Sequence, residues 1–231
     1  MFVSMHQPDY LPWLGYFNKI AISDHFIFFD TADFSKRGFH ERNKIKTNTG
    51  WTYLTIPISH QHLFTPLKDV ILPEQTMWAR KHWRSLECCY RRAPYWSKHS
   101  DFFENLYLNI SSHKTLSDLN IEIITYMSEA FGLSAKLSRA SDYKTDPSLK
   151  STESILAVIK KVRATEFLAG PSGKKYLIKE RFEEENIKLL FQEFHPKEYS
   201  QLYPPFISGL SAVDLLFNEG PNSIKYLNDK S

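Results

Sequence analysis

The sequence predicts an α/β fold: a mainly parallel sheet flanked by helices, with a mainly helical insertion at about residues 74–131. Three observations predict it. Short apolar runs alternate with segments whose apolar residues recur at helical spacing, which is the pattern of βαβ units. The run His25-Phe26-Ile27-Phe28-Phe29 is apolar on both alternating faces, as strands of a parallel sheet covered on both sides are. Residues 74–131 read as helical segments in succession, with no strand between them. A chain of 231 residues fits one domain and can bury roughly 70% of its unfolded surface without a covalent staple.

Each element follows from local chemistry. Residues 1–5 form a first strand, and Pro8 and Pro12 then fix φ and end the ladder, which leaves His6 at a strand end where a titratable ring can face a cleft. Residues 16–22 form a short helix on the spacing of Phe17, Ile20 and Ala21, closed by Ser23-Asp24. Residues 25–30 are the second strand, so His6 and Asp30 stand at the carboxyl ends where such units place ligands. Residues 31–49 are polar and basic and read as a loop, and residues 51–58 alternate as a strand ending near Pro57. After a loop over 60–73, helices are expected over 74–92, stopped by Ala93-Pro94, over 97–108, and over 116–131, the last capped by Ser117-Asp118 and Gly132. Strands at 135–139, 166–169 and 188–194 then alternate with helices at 148–162 and 174–184. An apolar helix near Leu210 to Gly220 carries Asp214, a carboxylate that would need a partner if buried.

Composition narrows the function. With 29 basic and 26 acidic residues the net charge is +3, too small to argue for a nucleic acid partner. No metal site is expected, because adjacent Cys88 and Cys89 cannot build one alone; they read as reduced and structural. No apolar stretch approaches the roughly 20 residues that span a bilayer, so a cytoplasmic protein without a transmembrane segment is expected. Aromatic residues make up 15% of the chain, enough for a heavy core or for stacking surfaces.

Five clusters carry candidate chemistry. The first is the opening segment, where His6 and Gln7 precede Tyr10, Trp13, Tyr16 and Phe17 among two prolines and a glycine. The second is the basic run in which Lys36, Arg42, Asn43 and Lys46 could fold back onto one phosphorylated ligand, with Trp51 just beyond it. The third is the helix carrying Trp78 and His82 on one face, able to stack on sugars or simply to pack. The fourth is Gly170-Pro171-Ser172-Gly173-Lys174, a strand-to-helix turn that could take an anion; it is not a P-loop, because Leu168 and Lys175 stand where that pattern needs glycine and a hydroxyl. The fifth runs from His195-Pro196 through Tyr199 and Gln201 to Asp214, and a parallel sheet could bring His195 to the edge that holds His6.

Taken in order, the opening segment 6–17, the pair Phe34-Ser35-Lys36-Arg37 and Arg42-Asn43-Lys44-Ile45-Lys46, the Leu54-Thr55-Ile56-Pro57 run, the Gly170 turn, and His195-Pro196 through Gln201 to Asp214-Leu215-Leu216-Phe217-Asn218 resemble the WbqC-like family. Asp30-Thr31 and Ala169 depart from its pattern. The resemblance implies sugar modification in bacterial surface-polysaccharide or flagellin glycan biosynthesis, and it names no catalytic residue. Three functions follow as expectations. One is N-acyl transfer from a thioester donor, coenzyme A or an acyl carrier protein, onto a nucleotide-linked amino sugar, with His6 or His195 as base and Asp30 beside them. No bound cofactor is expected for it. The second is nucleotidyl or another phosphate-centred transfer, and the third is a non-catalytic scaffold or sugar-binding module.

Overall fold

The computed structural model describes residues 1–228. Five parallel strands form the central sheet in the order β5-β2-β1-β6-β7, where β1 is Phe2–His6, β2 His25–Phe28, β5 Lys136–Arg139, β6 Glu166–Ala169 and β7 Lys188–Phe191. The chain winds outward from β1 through β2 to β5, then crosses back to place β6 and β7 on the other side of β1. The winding therefore reverses between β1 and β6. In an open parallel sheet that reversal separates the loops leaving the two strands and opens a crevice at their carboxyl ends.

Alternation along the strands covers both faces of the sheet. Val3, Met5, Ile27, Phe167 and Ala169 join a core with Ile155, Leu156, Val158 and Ile159 of α5 (Ser151–Lys161) and Phe182 of α6 (Lys179–Glu184). Phe26 and Phe28 join the larger core on the opposite side, with Phe17 and Ile20 of α1 (Leu14–Ala21). This is the both-faces-buried condition of a parallel sheet, and it explains why the inner strands β1, β2 and β6 are mostly apolar.

Between β2 and β5 the chain leaves the sheet. It first forms an antiparallel hairpin of β3 (Arg42–Thr47) and β4 (Gly50–Thr55), then α2 (Met77–Tyr90), α3 (Trp96–Leu108) and α4 (Leu116–Ala130). The helical insertion thus stands where it was expected. The second half of the basic run, read as loop, is instead a strand: Asn43, Ile45 and Lys46 are buried, and Ile45 pairs across the hairpin with Thr52. Its charges masked a half-buried strand, because Arg42 lies over the Tyr53 ring at 4.6 Å and Lys44 over Trp51 at 4.3 Å, so the cationic tips cover rings rather than extend into water. The cap of α4 is also two residues earlier than the Ser117-Asp118 reading, since the Thr115 hydroxyl accepts from the Asp118 amide at 3.2 Å. After β6 the chain makes a short 3-10 turn, Pro171–Lys175, before α6, and it closes with α7 (Val213–Glu219) and α8 (Ile224–Leu227).

The opening segment connects these layers. Its prolines remove backbone donors, yet its carbonyls lie in the interior and need partners. Distant side chains and amides supply them. Tyr16 donates to the Gln7 carbonyl at 3.0 Å, Asn120 to Pro8 at 2.8 Å, Asn43 to Leu11 at 2.8 Å, and the Ala212 amide to Pro12 at 2.7 Å. Tyr10 is fully buried, and its hydroxyl joins the hydroxyl of Tyr107 at 2.5 Å and Nδ1 of His82 at 2.8 Å.

That network sets a pH dependence of stability. Burial pushes the His82 imidazole down to about 4, opposed by the Thr55 carbonyl, and His82 is only 6% exposed. The folded state holds it neutral while the unfolded chain takes up a proton below about 6.5, so stability is lost as pH falls from about 6.5 to about 4. The loss is expected to be about 3 kcal/mol. Urea unfolding of wild type and His82→Gln across that window checks it, and the difference between the two curves is the readout, since Asp214 contributes with the opposite sign. Parallel curves would remove His82 as the cause.

Candidate functional site

A cavity of about 550 Å³ occupies the crevice between β1 and β6. Its walls come from the end of β1 (Met5, His6, Gln7), from Asp9 and Lys19, from the 35–40 loop (Ser35, Gly38, Phe39, His40), and from the turn after β6 (Ala169 to Gly173). Three consequences of the fold build it. The sheet reversal opens the space, the prolines of the opening segment turn the chain across one side of it, and the glycine turn keeps the other side low.

His6 is the side chain best placed for chemistry. Its Nδ1 lies 3.1 Å from the Gln7 carbonyl and 3.7 Å from Asp9 Oδ2, and Tyr16 packs edge-on against the ring at 4.9 Å. A carbonyl can only accept, so Nδ1 carries the hydrogen and Nε2 is left with a free lone pair. Burial, then the Lys19 ammonium, pushes this imidazole down to about 4, with Asp9 opposing, so it is neutral at pH 7. A third of the side-chain surface remains open. Asp9 is 5% exposed and also meets Nδ1 of the buried His40 at 3.0 Å, so one carboxylate sits between two imidazoles. Lys19 is 1% exposed; burial lowers its ammonium to about 8, with Asp9 opposing.

The structure brings together some of the residues singled out from sequence and separates others. His6, Gln7, Gly170 and Ser172 share the cavity wall. Asp30 does not join them: β2 ends at Phe28, and the Asp30 carboxylate turns away to accept from the Ser141 amide at 3.0 Å and hydroxyl at 2.6 Å. His195 is exposed and is not part of that wall, because β7 ends at Phe191 and the chain leaves the sheet before His195. Lys174 faces Glu193, 3.7 Å away, and the Phe191 ring. Tyr10, His82 and Asn43 serve the interior contacts described above, and Trp13 packs against Phe194 and over Gly15.

The basic residues do not converge. Lys36 is exposed, Arg42 covers Tyr53 beside exposed Trp51, and Lys46 points inward. Lys46 joins a second polar cluster, where its Nζ donates to Gln201 Oε1 at 3.0 Å and to the Pro205 carbonyl. Gln201 donates to the Tyr199 hydroxyl at 3.2 Å, and Tyr199 donates to Asp214 Oδ2 at 2.7 Å. Asp214 thus has a partner on Oδ2, while its Oδ1 is buried without one among the described residues, and burial raises its carboxyl to about 6. Lys46 of the basic run thus meets Tyr199, Gln201 and Asp214 of the fifth cluster on account of tertiary packing.

Asp9, Lys19 and His40 are the cavity residues that sequence reasoning missed. Lys19 did leave a signal, since it lies three residues from Tyr16 and so on the apolar side of α1, where an ordinary lysine would not stand. Asp9 is three residues from His6 in the opening segment, and His40 left no signal beyond its residue type. Cys89 is pushed up to about 11 by burial, which leaves it inert as a nucleophile. Among the described residues no group of three or more His, Cys, Asp or Glu side chains could hold a metal ion, and no helix is long and apolar enough to cross a membrane.

Comparison with known proteins extends these observations. The chain is 33% identical to uncharacterized protein Rv1507c of Mycobacterium tuberculosis (strain ATCC 25618 / H37Rv) over 226 residues, covering 97% of this chain and 96% of that one. No solved structure matches. Residues 7–226 match the WbqC-like protein family, a span that takes in the opening segment from Gln7, the hairpin, the glycine turn and the Lys46–Asp214 cluster, and the chain belongs to that family.

Proposed function

We propose that this chain is an enzyme of bacterial surface-polysaccharide or flagellin glycan biosynthesis that modifies a nucleotide-linked amino sugar by N-acyl transfer from a thioester. The observation that carries the reading is His6: a neutral imidazole at a strand end, its hydrogen held on Nδ1 and its Nε2 free, in the wall of a cavity at the sheet reversal. In the step proposed, the sugar amine bonds to the acyl carbon and the carbon–sulfur bond breaks. His6 Nε2 takes the proton that the nitrogen loses and returns it to the departing thiolate, so atoms and charge balance. Asp9 steadies the imidazolium formed between the two transfers, as a carboxylate behind a histidine does. Direct attack is favoured over a covalent acyl-cysteine, since neither Cys88 nor Cys89, both on α2, lines the cavity.

A phosphate-centred transfer is the second reading, and the buried Lys19 ammonium in the same wall favours it. Incubation of the purified protein with UDP-linked amino sugars and acetyl-coenzyme A separates the readings. Free thiol and N-acylated sugar are the expected products. Pyrophosphate release from a sugar phosphate and nucleoside triphosphate would establish the second reading, and ligand binding without either product would establish a binding module.

A further inference from the structure

Lys19 stands out as a buried cation with few hydrogen-bond partners. It is 1% exposed, and among the described residues its ammonium makes one long hydrogen bond, to the Met5 carbonyl at 3.4 Å, and no ion pair. Three donor hydrogens on a buried ammonium ordinarily find three acceptors, and an ammonium that finds fewer costs the fold stability. Its stem is surrounded by the buried face of α1, so the head cannot reach bulk water by extension. It lines the cavity instead.

The opposite wall is shaped to leave that head open. A Cβ on Gly170 would sit in van der Waals contact with Lys19 Nζ, at 3.5 Å, and would take up space beside the ammonium. Glycine at that position lets a ligand atom occupy the place where a side chain would otherwise rest. The Asp9 carboxylate acts on Lys19 through space but is already engaged by His40 at 3.0 Å and by His6 at 3.7 Å. An anion supplied by a ligand would give the ammonium the acceptors it lacks.

We propose that Lys19 and the Gly170 turn form an anion subsite of this cavity that holds a phosphoanhydride group of the substrate. The inference rests on reading the cavity as a site for a nucleotide-linked ligand, and it adds the residue that grips the phosphates. A phosphoanhydride fits better than a single carboxylate, because the space runs past Lys19 along the whole turn from Gly170 to Gly173. Placement has a second effect. The Lys19 ammonium is one of the groups that hold the His6 pKa down, so an anion seated on Lys19 offsets that effect and raises the His6 pKa when substrate is bound. The base becomes stronger only with the ligand in place.

Both a nucleotide-linked sugar and coenzyme A contain this chemistry, and titration calorimetry separates them. UDP, inorganic pyrophosphate and coenzyme A are each titrated into wild type, Lys19→Met and Gly170→Val. For the ligand seated at Lys19, Lys19→Met is expected to weaken binding by about ten-fold or more. Gly170→Val, which keeps the ammonium but fills the space before it, should weaken the same ligand. Melting temperature gives the readout that a structural role would not produce: removing a buried ammonium that has one long hydrogen bond and no ion pair should leave it unchanged or raise it. The proposal is overturned if none of the three probes binds wild type at millimolar concentration, if Lys19→Met binds them all as wild type does, or if Lys19→Met lowers the melting temperature along with binding. Lys19-dependent binding in a protein that transfers no acyl group would keep this inference and remove the acyl-transfer reading. Acyl transfer that is indifferent to Lys19→Met would do the reverse.

Discussion

His6→Ala is expected to lower the rate of acyl transfer by roughly 10²–10⁴-fold, the usual worth of a positioned general base. The ring lies at the end of β1 rather than within a core, so the fold should survive, with an unchanged circular dichroism spectrum. The loss should fall on kcat more than on KM, because the imidazole moves a proton and the binding contacts lie elsewhere on the wall. Acidification should mimic the substitution. Protonated His6 cannot accept, and since burial and Lys19 hold its pKa at about 4 in the free enzyme, kcat/KM should keep its His6-dependent component down to well below the 6.5 of an open histidine. Wild-type turnover by His6→Ala would exclude this residue as the base. Asp9→Asn tests the group behind it and should reduce kcat more modestly, since the Gln7 carbonyl still holds the Nδ1 hydrogen.

Gly15→Ala is expected to cost about 1–3 kcal/mol, the range for an atom forced into a packed interior. An added Cβ would meet the Trp13 ring at 2.2, 2.5 and 2.7 Å, closer than real atoms pack. The ring cannot simply swing away, because it packs against Phe194 and its backbone bridges to Ser211. The Gly15 carbonyl moreover accepts from Gln192 at 2.7 Å, which ties the start of α1 to the end of β7, so displacement there shifts both. Chemical denaturation of Gly15→Ala, Trp13→Ala and the double variant forms the test. If the clash is the cause, the glycine substitution should cost much less in the Trp13→Ala background, a coupling expected only of residues in contact. An equal cost in both backgrounds would place the effect in the helix itself, where replacing glycine with alanine should stabilise rather than destabilise.

The same glycine illustrates how far the sequence reads. A segment of two prolines, four aromatics and a glycine after a strand is improbable as an ordinary loop, and the reason for each residue is visible once the fold is known. The prolines deny backbone donors, Gly15 makes room for Trp13, and Tyr16 supplies one of the missing hydrogen bonds. Lys46 was legible only as one cation among several. Its role as the buried partner of Gln201 depends on a contact across 155 residues of sequence. Charged side chains on a half-buried hairpin mislead in the same way, since Arg42 and Lys44 use ring faces for solvation that no local pattern announces.

What the sequence by itself determined is the class of fold, the order of its strands and helices apart from β3, the helical insertion, the family, and the strand end at which His6 stands. Those properties depend on local periodicity, on proline and glycine, and on motif order, all of which are written within short windows. Tertiary structure alone decided which candidates share a cavity. His6 keeps Asp9, His40 and Lys19 around it, whereas Asp30 and His195 face elsewhere, because the two walls come from residues 5–40 and 155–177 and meet only where the sheet reverses between β1 and β6. Burial decided the rest: Lys19, on a helix whose residues 14–20 are all buried, becomes an ammonium held at 1% exposure with one long hydrogen bond.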